Sequence, residues 1–127
     1  MLESSHLVGF VATTDLDRAG RFYGNVLGLA PIYQSPIVRV FNANGTKLRV
    51  SLVDPFVPAS FTVLGWTVDQ IEATVRSLQA KGVGFERFPG MEQDELGVWT
   101  TPGGDLVAWF RDPDGNVLSL TQAHDSR

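Results

Sequence analysis

Two stretches of this chain carry residue types able to hold a ligand. The first, Asp105 to Gln122, reads Asp-Leu-Val-Ala-Trp-Phe-Arg-Asp-Pro-Asp-Gly-Asn-Val-Leu-Ser-Leu-Thr-Gln. If Arg111 pairs with Val117 across the Asp112–Asn116 turn, antiparallel register sets Trp109 opposite Ser119. Directly opposed residues share a face, so Val107, Trp109, Val117, Ser119 and Thr121 lie on one side of the hairpin. Leu106, Ala108, Phe110, Leu118 and Leu120 lie on the other and suit a core. An indole beside hydroxyls offers a flat apolar surface for an aromatic ligand, although core packing is equally open to Trp109. The second stretch, Glu92-Gln93-Asp94-Glu95 between Gly90 and Gly97, is either an acidic lid over a cavity mouth or a solvated loop.

What is missing narrows the chemistry further. The chain has no cysteine, so disulfides and thiolate metal sites are excluded, and its two histidines are His6 and His124. No Ser-His-Asp or Cys-His set, phosphate-cradling glycine loop or closely spaced pair of inner carboxylates is visible. Ten basic against fourteen acidic residues give a net charge of −4, with the basic ones scattered singly. That distribution argues against nucleic acid as a partner. No apolar run approaches the ~20 residues of a membrane span, and no signal-peptide pattern opens the chain. A soluble, cytoplasmic protein with no membrane partner is expected. At 127 residues the chain is large enough for one domain with its own core.

The elements follow from periodicity and punctuation. His6 to Thr13 is a β-branched and aromatic run suited to a strand. Asp15 caps a helix with apolar positions Leu16, Ala19, Phe22/Tyr23 and Val26, ended by Gly28. A short strand over Ile32 to Gln34 is stopped by Pro36, and Ile37–Asn42 and Lys47–Val53 flank the Asn44-Gly45 hairpin signal. Asp54 to Ser60, with two prolines, reads as a linker. Phe61 to Val68 is the next strand. Asp69 with Glu72 predicts a capping-box start for a second helix, whose buried stripe is Ile71, Val75 and Leu78 and whose end is Lys81-Gly82. Val83 to Phe88 and Gly97 to Thr101 are candidate strands before the closing hairpin, and the tail from Ala123 is expected to fray.

The order strand, helix, three strands occurs twice, at an offset of about 55 residues. It predicts an α+β fold: two βαβββ modules forming an open, curved eight-stranded barrel-like sheet with helices outside. One domain over 1–127 is expected, with module one at about 5–54, a linker at 54–60, module two at about 61–122 and a tail at 123–127.

This arrangement resembles the vicinal oxygen chelate superfamily of glyoxalases, extradiol dioxygenases, and fosfomycin and bleomycin resistance proteins. The resemblance runs from Val8 to Gln122. It rests on Thr14-Asp15-Leu16-Asp17-Arg18, Phe22-Tyr23 and Val26-Leu27-Gly28-Leu29 in the first half, and on Asp112-Pro113-Asp114-Gly115-Asn116 with its alternating strand in the second. The resemblance implies metal ligands at four positions, which here carry Val8, Arg49, Val63 and Ser119. None is a good ligand for a divalent ion, and Arg49 would repel one. His6 shares a strand face with Val8 but stands roughly 6.6 Å along it, too far to substitute. No metal and no cofactor is therefore expected.

Alternation outward from those four positions defines the wall of an expected cavity. It comprises Val8, Phe10 and Ala12; Lys47, Arg49 and Ser51 with Val40 opposite Arg49; Val63, Gly65 and Thr67; and Trp109, Ser119 and Thr121. Phe10, Val40, Arg49, Ser51, Thr67, Trp109 and Ser119 are the expected ligand-binding residues; no catalytic residue is assigned. Two roles are open to Arg49: a head that reaches water, or a fixed cation for a carboxylate, phosphate or enolate-like oxygen. Trp66 is assigned to the core, and Trp99 has no assignment.

The reading favoured is a metal-independent small-molecule binding protein, with an aromatic or antibiotic-like ligand, acting as a homodimer as the drug-sequestering members do. The alternative is a lyase, isomerase or dioxygenase of the same superfamily, metal-free or with a metal site not recognised in these residues. A third is an assembly module, since exposed sheet edges favour pairing between chains.

Overall fold

The computed structural model describes residues 1–125, which form two compact units, one over Met1–Pro58 and one from Ala59 onward. Each holds a four-stranded sheet with a helix, giving an α+β fold of two βαβββ-like modules and no closed barrel. No helix among the described residues is long and apolar enough to cross a membrane.

Module one runs β1 (Val8–Thr13), α1 (Leu16–Gly20), β2 (Ala30–Ser35), β3 (Val38–Ala43) and β4 (Thr46–Leu52), in sheet order β1-β4-β3-β2. Asp15 caps α1 as expected, its carboxylate accepting the Arg18 N–H at 3.1 Å. The helix then widens into π-helical turns over Arg21–Val26, where the Leu27 N–H reaches back five residues to Phe22 O at 2.9 Å. Gly28, at φ +77°, ends it. The Asn44-Gly45 turn closes β3 onto β4 with both residues at positive φ (51° and 96°), the geometry that matches strand twist. Val11, Phe41, Leu48 and Val50 are buried on one face of the sheet, and Phe22 and Tyr23 are buried on the helical segment. The Tyr23 and Phe41 rings meet at 6.2 Å between centroids.

Module two runs β5 (Thr62–Thr67), α2 (Ile71–Ala80), β6 (Trp99–Thr100), β7 (Leu106–Arg111) and β8 (Val117–Gln122), in order β5-β8-β7-β6. Ile71, Val75 and Leu78 form the buried stripe of α2 as the spacing predicts, with Ala108, Phe110, Leu118 and Leu120 buried on the sheet. The start of α2 differs from expectation. Asp69 does not cap it; the Ile71 N–H donates to Gln122 Oε1 at 2.9 Å, from the far end of β8. Glu72 instead pairs with Arg76 one turn on.

Val83–Phe88 is not a regular strand. It touches β7 through a single bridge between Phe85 and Phe110 and a Glu86 N–H bond to Trp109 O at 2.8 Å. The segment that pairs regularly beside β7 is the two-residue β6. The acidic loop keeps Glu92, Asp94 and Glu95 exposed, as a solvated loop would, yet it is held by its own hydrogen bonds. Gln93 donates to Glu86 O and Gly97 O and accepts the Phe88 N–H, while Asp94 accepts from Leu96 and Val98. Leu96 and Val98 are buried beneath it. In the tail, the His124 N–H donates to Asp105 Oδ1 at 2.8 Å, so the chain is tied there rather than frayed. Residues 126–127 of that tail lie outside the described residues.

Candidate functional site

The ladder of module one settles the register around Arg49. Phe10 pairs with Arg49 across β1 and β4, Arg49 with Val40 across β4 and β3, and Val40 with Tyr33 across β3 and β2. Four side chains therefore stand in one row across four strands, spanning three inter-strand spacings or roughly 14 Å. Phe10 and Tyr33 are 63% and 60% exposed, unusual for large rings on a sheet face, and Arg49 is half-buried between Phe10 and Val40. Ser51 lies one row along, opposite Ala12 and Val38. Val40 is on the expected face, in register with Arg49, and is only 4% exposed.

Arg49 is the chemically unsatisfied member of this row. Among the described residues no hydrogen bond or ion pair reaches its guanidinium. Other arginines behave differently: Arg39 meets Asp17 at 2.9 Å, and Arg111 meets Glu86 at 2.6 Å. A guanidinium held half out of water beside an exposed ring, with no carboxylate of its own, is disposed to accept an oxyanion.

Module two presents a second face. Trp109 pairs with Ser119, Ser119 with Gly65, and Thr121 with Val107 and Thr67, in the register the hairpin predicts. Trp99, which the sequence left without assignment, stacks obliquely on Trp109 at 6.1 Å, while Phe88 meets it edge-on at 5.4 Å. The indole N–H of Trp109 donates to Thr62 Oγ1 at 3.2 Å. Trp109 is thus a half-buried ring in an aromatic cluster, its polar edge satisfied and its orientation held from three directions. Thr67 is exposed on this face, and Trp66 is half-buried on the opposite one, opposite Leu120.

Tyr33, Trp99 and Phe88 are the members of these faces that sequence reasoning missed. A register shift between Pro31 and Tyr33 breaks the alternation that would have placed Tyr33. A two-residue strand carries too little periodicity to place Trp99, and Phe88 lies outside any regular strand.

The four positions at which the family resemblance implies metal ligands carry residues that do not fit an ion. Val8 stands opposite Lys47, and Arg49 between Phe10 and Val40. Ser119 stands between Gly65 and Trp109, and Val63 sits at the irregularity between Thr62 and Leu64. Two alkyl groups, a hydroxyl and a guanidinium are not the donor set of a divalent cation. Among the described residues, no three His, Cys, Asp or Glu side chains gather to hold one.

A family model described as the Glyoxalase/Bleomycin resistance protein/Dioxygenase superfamily matches residues 4–120. Comparison with curated proteins returns no match. Among solved structures, TnmS3, an antibiotic binding protein from Streptomyces sp. CB03234, is 26% identical with a TM-score of 0.72, the alignment covering 98% of this chain and 99% of that one. A lactoylglutathione lyase from Agrobacterium tumefaciens is 18% identical at a TM-score of 0.75, covering 97% and 96% of the two chains. The fosfomycin resistance protein FosX from Listeria monocytogenes is 15% identical at 0.74, again covering 97% and 96%.

Proposed function

The chain belongs to the glyoxalase/bleomycin resistance protein/dioxygenase superfamily, and from that premise we propose that it is a metal-independent small-molecule binding protein. The observation that carries this reading is Arg49: a half-buried guanidinium without a partner among the described residues, in register beside the exposed ring of Phe10. Its ligand is a planar or aromatic molecule bearing an anionic oxygen. The oxygen lies against Arg49, where a charge-assisted bond replaces water, and the ring lies on Phe10. The Trp99–Trp109 shelf of module two, edged by Ser119, is a second surface suited to a planar ring.

Binding without turnover is favoured by what surrounds Arg49. Its row holds Phe10, Val40 and Tyr33, and the rows on either side hold Ala12, Ser51, Val38 and Ser35, and Val8, Lys47, Asn42 and Ala30. No carboxylate or imidazole stands there to take a proton. The likeness to an antibiotic binding protein points the same way. A homodimer belongs to the same reading, supported by the exposed edge strand β2.

A thermal-shift screen of aromatic acids and their neutral esters, run with and without EDTA, tests the proposal. The acids are expected to raise the melting temperature of the wild-type chain, unaffected by chelator. Stabilisation that appears only with added divalent metal, or hydrolysis or rearrangement of the hits, would defeat it.

A further inference from the structure

The opposite face of module one's sheet carries a second arginine, Arg39, in a different setting. It sits on β3 opposite Val50 and Gln34, beside the helical segment and next to the exposed edge strand β2. Its side chain is 20% exposed, and its guanidinium is held at two points. One terminal nitrogen donates to Asp17 Oδ1 at 2.9 Å and the other to Ser35 O at 3.1 Å. Gly20 borders the third donor: a Cβ there would stand 3.8 Å from Arg39 Nε.

Two cavities adjoin this guanidinium, and charge separates them. The larger, of about 580 Å³, has Asp15 and Asp17 in its wall against the single cation Arg39. The smaller, of about 450 Å³, is lined by Arg21 and Arg39 against Asp17 alone, with the amides of Asn25 and Gln34. Its helix-side wall is bare at Gly20 and Gly24, and its floor includes the Phe41 ring. Arg21 is exposed, and among the described residues nothing hydrogen-bonds its guanidinium.

We propose that the smaller cavity is a binding site for a small oxyanion, a carboxylate or phosphate group received between Arg21 and Arg39 with Asn25 and Gln34 as neutral donors. Two guanidiniums with amide donors suit such a group, and Asp17 and Ser35 pre-orient Arg39 for it. Asp17 is also the competitor, since it occupies one Arg39 nitrogen that the anion would otherwise take. The acidic cavity beside it repels the same group, which confines the anion to the Arg21 side. This site is independent of Arg49, which belongs to the other face of the sheet.

The test is a titration of the ¹⁵N-labelled chain with sodium phosphate, and separately with sodium acetate, at constant ionic strength. The Nε–H resonances of Arg39 and Arg21 are the readout. Saturable shifts of both are expected. Asp17→Asn should tighten binding and Arg21→Gln weaken it, each on the order of threefold, the scale of one exposed charge pair. Stronger binding of phosphate identifies a phosphate-bearing ligand, and equal or stronger binding of acetate a carboxylate-bearing one; either supports the site. Arg21 is exposed and has no partner among the described residues, so Arg21→Gln leaves the fold intact if Arg39 variants do not. Non-saturating shifts, or affinities unchanged in both variants, would overturn it.

Discussion

Gly65 and Ser119 face each other across β5 and β8 so closely that a Cβ at position 65 would stand 2.5 Å from Ser119 Oγ and 3.3 Å from Ser119 O. A Cβ there would require the Ser119 hydroxyl to turn away, so glycine is the residue that lets the two strands meet with that hydroxyl in place. Gly65→Ala should destabilise the protein by up to about 1 kcal/mol, since Ser119 Oγ must rotate aside and Ser119 O must give by a few tenths of an ångström. Adding Ser119→Ala removes the nearest atom and should recover most of that loss. Urea denaturation of the two variants checks it, and equal midpoints for the single and double variant would refute the steric explanation.

The start of α2 depends on a residue 51 positions away. Gln122→Ala strands the Ile71 N–H and should cost about 1 kcal/mol, the usual scale of a lost cap. Asp69→Ala should cost close to nothing, because Asp69 makes no cap. If chemical denaturation ranks the two the other way, the helix is capped locally after all.

Asp112 organises the last turn more than its proline does. Its carboxylate is 5% exposed and accepts from the Asp114 N–H, the Asn116 N–H and the Asn116 side-chain amide, at 3.0, 2.9 and 2.8 Å. Asp112→Ala removes the acceptor of all three bonds, two of them buried, at a cost of about 2–4 kcal/mol. Pro113→Ala should cost under about 1 kcal/mol, since it alters only unfolded-state entropy. Thermal melts of both variants provide the comparison.

Among the described residues Arg49 makes no ion pair, so removing it should not harm the fold. Arg49→Leu should leave the unfolding free energy unchanged or raise it by up to about 1 kcal/mol, because a half-buried charge without a partner is replaced by an apolar group. A loss above about 2 kcal/mol, the scale of a broken buried bond, would mean that Arg49 is structural.

Periodicity-two reasoning read well where the strands are regular. The pairings Val40 with Arg49, Arg111 with Val117 and Trp109 with Ser119 all follow from two tight turns whose residues specify register. It failed where the backbone departs from a period. The shift at Pro31–Tyr33 concealed Tyr33, and two ladder residues were too few to place Trp99. Val83–Phe88 has strand composition but bridges β7 at only one point, since its neighbour there is a loop held by Gln93 and Asp94. The cap from Gln122 was illegible for another reason: no local pattern reports a side chain arriving from a distant strand. Val40 shows the same limit for burial, because alternation gives the face of a residue and not what lies over it.

If, as proposed, Arg49 holds the anionic group of a small molecule with no metal ion taking part, affinity should follow its guanidinium and ignore a chelator. Isothermal titration in EDTA measures it most directly, using one aromatic acid that stabilises the wild-type chain, its neutral ester, and the Arg49→Leu variant. The acid should bind wild type at least about tenfold more tightly than the variant, as expected for one charged hydrogen bond, and the ester should not distinguish the two proteins. Equal affinity of the acid for both proteins, or binding abolished by the chelator, would show that Arg49 does not hold the anion unaided.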